Sequence, residues 1–506
     1  MADHNIILAR AGPNSTRSVS SQRSASLSSN VTDGFESLGQ PAPSMTEADS
    51  PHTEADAIGI RSPTSMAPST NDVSQRQSHH VIRLSSIEHC MPRAYIRVCL
   101  AYRLPPEVDF DTVLSKLNRF TFKLLDAKPY LAGYVVPATD PQGRSNVAEI
   151  QFTDEDFLNY PSVHVRHLSA DEMPFTYDEL DEQGLPPSLI RPELISALPE
   201  GADGERAAVF RMQANVVKGG LIVSVYLHHC ISDGAGLGFL VTGKPLDGDF
   251  AFDRHLDSQG ISAEQLRQGT IFAFSKSKLD EMKQAVEKEV QPGFVSPHDT
   301  LLALLWYHMT LARKASVDSS IQTSKLFIPV NIRNKLTAPL SESYFGAAVD
   351  FACAELPLSR FASYEPDRRE RVAEMAISIR QAIAEVDESY IRQLIAIANR
   401  PDPEIDVRDV MATNMNRATG ADMYITSWEK LGLYEATFGM DLGKPDWVRK
   451  PWSRDPGSCV VLPRDERKSD IEALVQMTED DMGRLLENEV FMSYVVRVID
   501  GDRKVP

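Results

Sequence analysis

The sequence predicts an α/β (α+β) chain in which mixed β-sheets are flanked by helices, and three observations carry that reading. From about Val81 onward, segments alternating apolar and polar residues interleave with segments of helical spacing. An apolar run at 221–227 ends in two histidines, an aspartate and several glycines, the pattern of a buried strand running into a turn. Residues 1–79 carry neither pattern. They are rich in Ser, Thr, Asn, Gln and Pro and poor in aromatics, so they cannot bury enough apolar surface to offset their ordering entropy and read as a disordered Ser/Thr-rich tail. The chain of 506 residues is long enough for two or three domains with substantial cores.

In chain order, Ile96, Val98, Leu100, Tyr102 and Leu104 alternate with polar or small residues, a half-buried strand. Asp109 or Asp111 then caps a helix with Phe110, Val113, Leu114, Leu117, Phe120 and Leu124 on one face. Residues 131–136, 147–152 and 207–217 read as further strands, completing a mixed sheet with helices. Residues 241–270 read as a loop, followed by a strand and helix in FAFSKSKLDEMKQAV. Ser296 or Asp299 caps a helix carrying Leu301, Leu304, Leu305 and Met309. A strand at 327–336, a long helical region at 365–398 and strands at 458–462 and 471–477 follow. Thr478 caps the next helix, and VFMSYVVRV closes the chain as a strand.

The stretch LIVSVYLHHCISDGAGLG (221–238) holds the chemistry. With period 2, Leu221, Val223, Val225, Leu227 and His229 share one face, and Ile222, Ser224, Tyr226 and His228 the other. Only one histidine can therefore face a given cavity. A neutral imidazole at the end of a rigid strand suits general-base work near pH 7, and Asp233, four residues on, can fold back to fix the turn. A histidine in an apolar strand is also commonly a satisfied core residue. A metal site at His228, His229, Cys230 and Asp233 is disfavoured, because adjacent strand side chains diverge and no second ligand cluster is visible. Gly234, Gly236 and Gly238 lack dinucleotide-loop spacing and a P-loop lysine, and read as a tight turn with close backbone approach. No GxSxG elbow marks a serine hydrolase.

His-His-x-x-x-Asp-Gly at a strand end resembles the signature of the CoA-dependent acyltransferases called BAHD, shared with chloramphenicol acetyltransferase and peptide-synthetase condensation domains. The resemblance widens through LSSIEHCMPRAYIRVCLAYRLP (84–105) and KPYLAGYVV (128–136), which look like the opening of fungal, trichothecene 3-O-acetyltransferase-like members. Ser296, Asp299, Ala303 and Trp306 match a further family pattern. So does SYFGAAV (343–349), with Ala347 where the family has Asn. Phe438, Gly439, Gly443, Lys444, Pro445, Val448 and Arg449 match the family's Asp-Phe-Gly-Trp-Gly region, with Thr437 in place of Asp.

The resemblance implies two chloramphenicol-acetyltransferase-like lobes, 80–245 and 271–506, joined by a crossover loop at 246–270, with a channel between them. It implies His229 as catalytic base and a structural, site-shaping role for Asp233, with His228, Gly234, Arg333, Phe438 and Gly439 also shaping the site. Arg333 pairs in the family with the carboxylate here replaced by Thr437, so Asp441 is the substitute partner or the pair is lost. Oxyanion donors are expected near Phe438–Gly439 or Ser427. Ser427 and Trp428 line the channel or belong to the core. The segment between Leu240 and Asp253-Arg254 is shorter than the family's, which places an extra helix there. Acyl-CoA, acetyl-CoA foremost, is the implied co-substrate, a small metabolite bearing a hydroxyl or amine the acceptor, and a monomer the implied state. No metal and no permanently bound cofactor is implied. The alternatives are a carrier-dependent condensation-type domain and a non-catalytic binding protein of the same fold.

Composition narrows the classes further. The net charge of -19 argues against nucleic acid as partner and confines any CoA phosphate site to a local basic patch. Five scattered cysteines without CxxC spacing fit a reducing compartment with no disulfide framework. No window approaches a membrane span, and the apolar patch Ile6-Ile7-Leu8 is too short for a signal-peptide core. The expected location is cytoplasmic, with the arginines of the tail admitting a transit peptide.

Overall fold

The computed structural model describes residues 79–140, 143–198, 206–244, 267–289, 294–362, 368–400, 415, 417, 420–451 and 456–500. The Ser/Thr-rich tail up to residue 78, the Asp253-Arg254 pair and the place of the extra helix lie outside the described residues. So does the 246–270 loop, except that its last residues open a strand.

The first half begins with β1 (His79–Arg83), α1 (Ser86–His89), β2 (Tyr95–Arg103) and α2 (Phe110–Ala127). It continues with β3 (Tyr134–Ala138), β4 (Val147–Thr153), α3 (Asp154–Leu158), β5 (His164–His167), α4 (Tyr177–Glu182) and α5 (Pro192–Ile195). Then come β6 (Ala207–Ala208), β7 (Phe210–Val217), β8 (Gly220–His228) and α6 (Gly234–Thr242). Asp109, not Asp111, caps α2, its carboxylate accepting from the Thr112 N–H at 3.1 Å.

The second half holds β9 (Arg267–Ser275), α7 (Lys276–Glu289), α8 (Pro297–Arg313), β10 (Thr323–Asn331), β11 (Val349–Pro357), α9 (Arg368–Glu385) and α10 (Glu388–Ala398). It ends with β12 (Met423–Ser427), β13 (Trp447–Arg449), β14 (Ser458–Val461), β15 (Asp470–Thr478), α11 (Glu479–Leu486), α12 (Glu489–Met492) and β16 (Val495–Asp500). Ser296 caps α8 in a reciprocal box with Asp299: each side chain accepts from the other's N–H, at 3.1 and 2.7 Å. The 365–398 region is two helices, because Asp387 caps a new one by accepting from the Tyr390 N–H at 2.8 Å. The final apolar stretch is not one strand either. Asn488 accepts from the Phe491 N–H at 3.0 Å and starts α12 before β16.

Among the described residues the strands form three sheets. A four-stranded sheet runs β1-β4-β3-β6, a five-stranded one β13-β2-β8-β7-β5, and a seven-stranded one β11-β10-β12-β14-β15-β9-β16. In the second, β8 lies antiparallel between β2 and β7, and both of its faces are covered. The expected half-burial of β2 fails for the same reason: every residue but its last is buried. β13 departs from the two-lobe division, because it comes from the second half of the chain yet pairs with β2, Trp447 opposite Ala101 and Arg449 opposite Cys99. No described helix is long and apolar enough to cross a membrane.

Candidate active site

His228 closes β8 opposite Tyr95 of β2, and the chain then leaves the sheet. The His229 N–H donates to the Ala94 carbonyl at 2.9 Å and Ile231 N–H to that of His228 at 2.9 Å, so both histidines are fixed through the backbone. They differ in surroundings. His228 is fully buried, its ring edge-on to Tyr95 with centroids 5.6 Å apart, and Nδ1 accepts from the Cys230 N–H at 3.2 Å. Burial, with the Arg93 and His229 charges added, holds it well below the usual imidazole range. His228 is thus a neutral structural ring. His229 is only partly buried; Nδ1 is enclosed, and the backbone of His229 and Ser232 hydrogen-bonds the ring. Burial lowers its pKa below 6.5 and Asp233 partly opposes this, so His229 is an unprotonated base at neutral pH.

Asp233 is 4% exposed and has two tasks. Its Oδ1 accepts from the Gly236 N–H at 3.0 Å, capping α6. Its two oxygens also bind Arg333 in a fork, Nη1 to Oδ2 at 2.7 Å and Nη2 to Oδ1 at 3.0 Å, while Oδ2 takes the Ala348 N–H at 2.9 Å. Arg333 further donates to the carbonyls of Tyr344 at 3.0 Å and Gly346 at 2.8 Å. This overturns the expected partner. Arg333 pairs with the aspartate of the histidine motif itself, and Asp441 instead pairs with Lys116 on the surface.

The glycines are helical rather than a tight turn: Gly234, Gly236 and Gly238 lie inside α6. Close backbone approach is what Gly236 and Gly238 permit. A methyl on Gly236 would fall 2.6 Å from the Phe345 carbonyl oxygen, and one on Gly238 2.3 Å from that of Leu431. Leu431 belongs to the turn after β12, where the Trp428 N–H donates to Val461 O at 2.8 Å and the Leu431 N–H to Trp428 O at 3.1 Å. Ser427 and Trp428 lead into this turn, with Trp428 buried and Ser427 half-buried.

Two comparisons identify the lineage of this arrangement. The Trichothecene 3-O-acetyltransferase-like N-terminal domain matches residues 94–242, and the Transferase family matches residues 250–492. The chain belongs to the Transferase family that these two models describe. It is 23% identical to O-acetyltransferase ptmV of Penicillium ochrochloron, over 82% of this chain and 96% of that one. It is 24% identical to acyltransferase cm3D of Cordyceps militaris, over 85% and 99%. The solved structure of F. graminearum TRI101 with coenzyme A and deoxynivalenol superposes with a TM-score of 0.69 at 21% identity, covering 83% of this chain and all (100%) of that one.

Within this fold the 437–440 turn is a distant anchor. Phe438 is buried against Phe120 and Tyr102, with ring centroids 5.0 and 6.4 Å away, and the Tyr102 hydroxyl donates to Ala436 O at 2.7 Å. Phe438 and Gly439 both take positive φ, 48° and 66°, in a turn that buries the Phe438 ring while Gly439 stays exposed. Tyr102 and the His228-facing Tyr95 lie near opposite ends of β2, about 23 Å apart at strand rise. The Phe438 turn thus packs at the Tyr102 end of β2, and His228 faces the Tyr95 end. Missed entirely by sequence reasoning was Glu88, buried within the LSSIEHC segment; its only signal was a capping-box spacing to Ser85.

Proposed function

We propose that the chain transfers an acyl group, acetyl foremost, from acyl-CoA to a hydroxyl or amine of a small secondary metabolite, with His229 as general base. The observation that carries this is the partly exposed His229 ring, its pKa lowered by burial, on a turn clamped by Asp233 and Arg333. His229 takes the acceptor proton as the acceptor oxygen or nitrogen bonds to the thioester carbonyl carbon. The C–S bond then breaks, and the same proton passes from His229 to the CoA sulfur. Holding both substrates against one base supplies the proximity contribution. Asp233 and Arg333 do no proton transfer in this reading; they hold the turn. Support for the donor and acceptor classes comes from relatives named as O-acetyltransferases and from TRI101 structures complexed with coenzyme A and T-2 or deoxynivalenol. Lobes at 80–245 and 271–506 would then approach the base from two sides, with Ser427 and Trp428 on the wall.

The test is thiol release from acetyl-CoA and longer acyl-CoAs against a panel of alcohols and amines, for the wild type and His229→Ala. Release that needs an acceptor and falls by about 100-fold or more in His229→Ala supports the reading. Release undiminished in His229→Ala removes His229 as base. Absence of release with every donor, together with no donor binding by calorimetry, transfers the site to a carrier-bound thioester or to a non-catalytic role.

A further inference from the structure

Behind the clamp lies a buried carboxyl that the mechanism does not use. Glu88 is fully buried in α1. Its Oε2 accepts from the Ser85 N–H at 2.7 Å, and its own N–H donates to Ser85 Oγ at 3.3 Å. Oε1 faces the Tyr344 hydroxyl and the Ala347 N–H, donors of the 344–348 loop. It is aimed across the 344–348 loop, so close that a methyl on Gly346 would lie 2.6 Å from it and 2.4 Å from the Tyr344 hydroxyl. Gly346 and Tyr344 are the residues whose carbonyls hold Arg333, and Arg333 holds Asp233.

We propose that Glu88 is a positioning residue for the His229 turn, acting through the 344–348 loop and the Asp233–Arg333 clamp. The proposal rests on the acyltransferase reading above. Burial, with a small addition from Asp233, raises the Glu88 carboxyl from 4.5 to about 8, against hydrogen bonds from Ser85 and the Ala347 N–H that favour the anion. The titratable groups facing it are Asp233 from the catalytic turn and Tyr344 from the loop, with Arg333 beyond them; on the far side of α1, α10 supplies the neutral Asn399, bonded to Ser86. At neutral pH Glu88 is therefore an uncharged acid packed under the loop. Ionised, it sets a second negative charge against Asp233 and draws on the guanidinium that orients the turn.

The pH dependence of stability follows. Between 4.5 and about 8 the folded chain keeps a proton that the unfolded chain loses, so stability falls as pH rises through that window. The experiment compares wild type, Glu88→Gln and Glu88→Ala in kcat, KM for acetyl-CoA and thermal midpoint across this range. The expected wild-type kcat declines above about 8. Glu88→Gln loses that decline while keeping the acid limb of His229. Glu88→Ala loses about tenfold in kcat, with KM changed less than about twofold, because the base is misplaced while the donor site stays intact. An alkaline limb unchanged in Glu88→Gln, or a kcat undisturbed in Glu88→Ala, overturns the proposal. Should the wild type release no thiol, the reaction assignment fails, and the melts still decide Glu88: equal pH slopes in wild type and Glu88→Gln overturn it.

Discussion

Arg333 and Arg449 are both buried guanidiniums, 3% and 1% exposed, yet they hold different things. Arg333 forks onto Asp233 with both terminal nitrogens and spends its remaining donors on the 344–348 loop, so all of its chief partners border the His229 turn. Arg449 meets Glu472 of β15 through one 2.8 Å bond, donates to the Gly184 carbonyl at 2.7 Å, and lies 4.4 Å from the Trp447 ring centre. Its partners come from the region after α4, from β13 and from β15. A bidentate fork fixes orientation as well as distance, whereas a guanidinium shared among one carboxylate oxygen, a carbonyl and a ring fixes proximity. The first therefore governs the angle of the base and the second the joining of chain segments.

The largest effect should come from Arg333→Met. Leaving Asp233 buried and unpaired costs about 3–5 kcal/mol of stability, and kcat should fall at least about 100-fold in the folded fraction. Chemical denaturation and thiol release measure the two separately. Arg449→Met should cost less, about 1–3 kcal/mol, because Glu472 keeps its 3.0 Å bond to Arg497, and it should leave kcat within about fivefold. Equal kcat losses in the two variants would erase the distinction drawn between them. A finer effect concerns the acid limb. His229 activity is lost as pH falls through its lowered pKa, and Asp233 raises that pKa. Asp233→Asn should therefore move the limb to lower pH, by about one unit or less, in whatever activity remains. The smallest effect belongs to Lys116→Ala. Its partner Asp441 is exposed, so the change should cost at most about 1 kcal/mol and leave kcat untouched.

Local chemistry made much of this legible in the chain. Asp109, Ser296 and Thr478 cap helices because short polar side chains satisfy first-turn N–H groups, a rule that needs no tertiary knowledge. The strand ending in His228 and the fixing of the turn by Asp233 followed from apolar spacing and reach. What stayed hidden depends on contacts between distant segments. The Arg333 partner was sought a hundred positions away, around Asp441, because sequence shows which charges exist and not which loops meet. Gly236 and Gly238 looked like turn residues because their constraint is imposed from outside the helix, by Phe345 and Leu431. Glu88 gave no sign of burial, since a carboxylate in a short capped helix is ordinarily at the surface.

The pairing of β13 with β2 bears on how the chain is made. During synthesis β2, β8 and β7 emerge long before residues 447–449, so β2 presents an open edge while the second half is translated. The sheet that carries His228 is closed only when a segment more than two hundred residues downstream returns to it. A fragment ending after α6 should consequently be insoluble or chaperone-bound despite holding the whole histidine motif, and the chain matures as one unit rather than lobe by lobe.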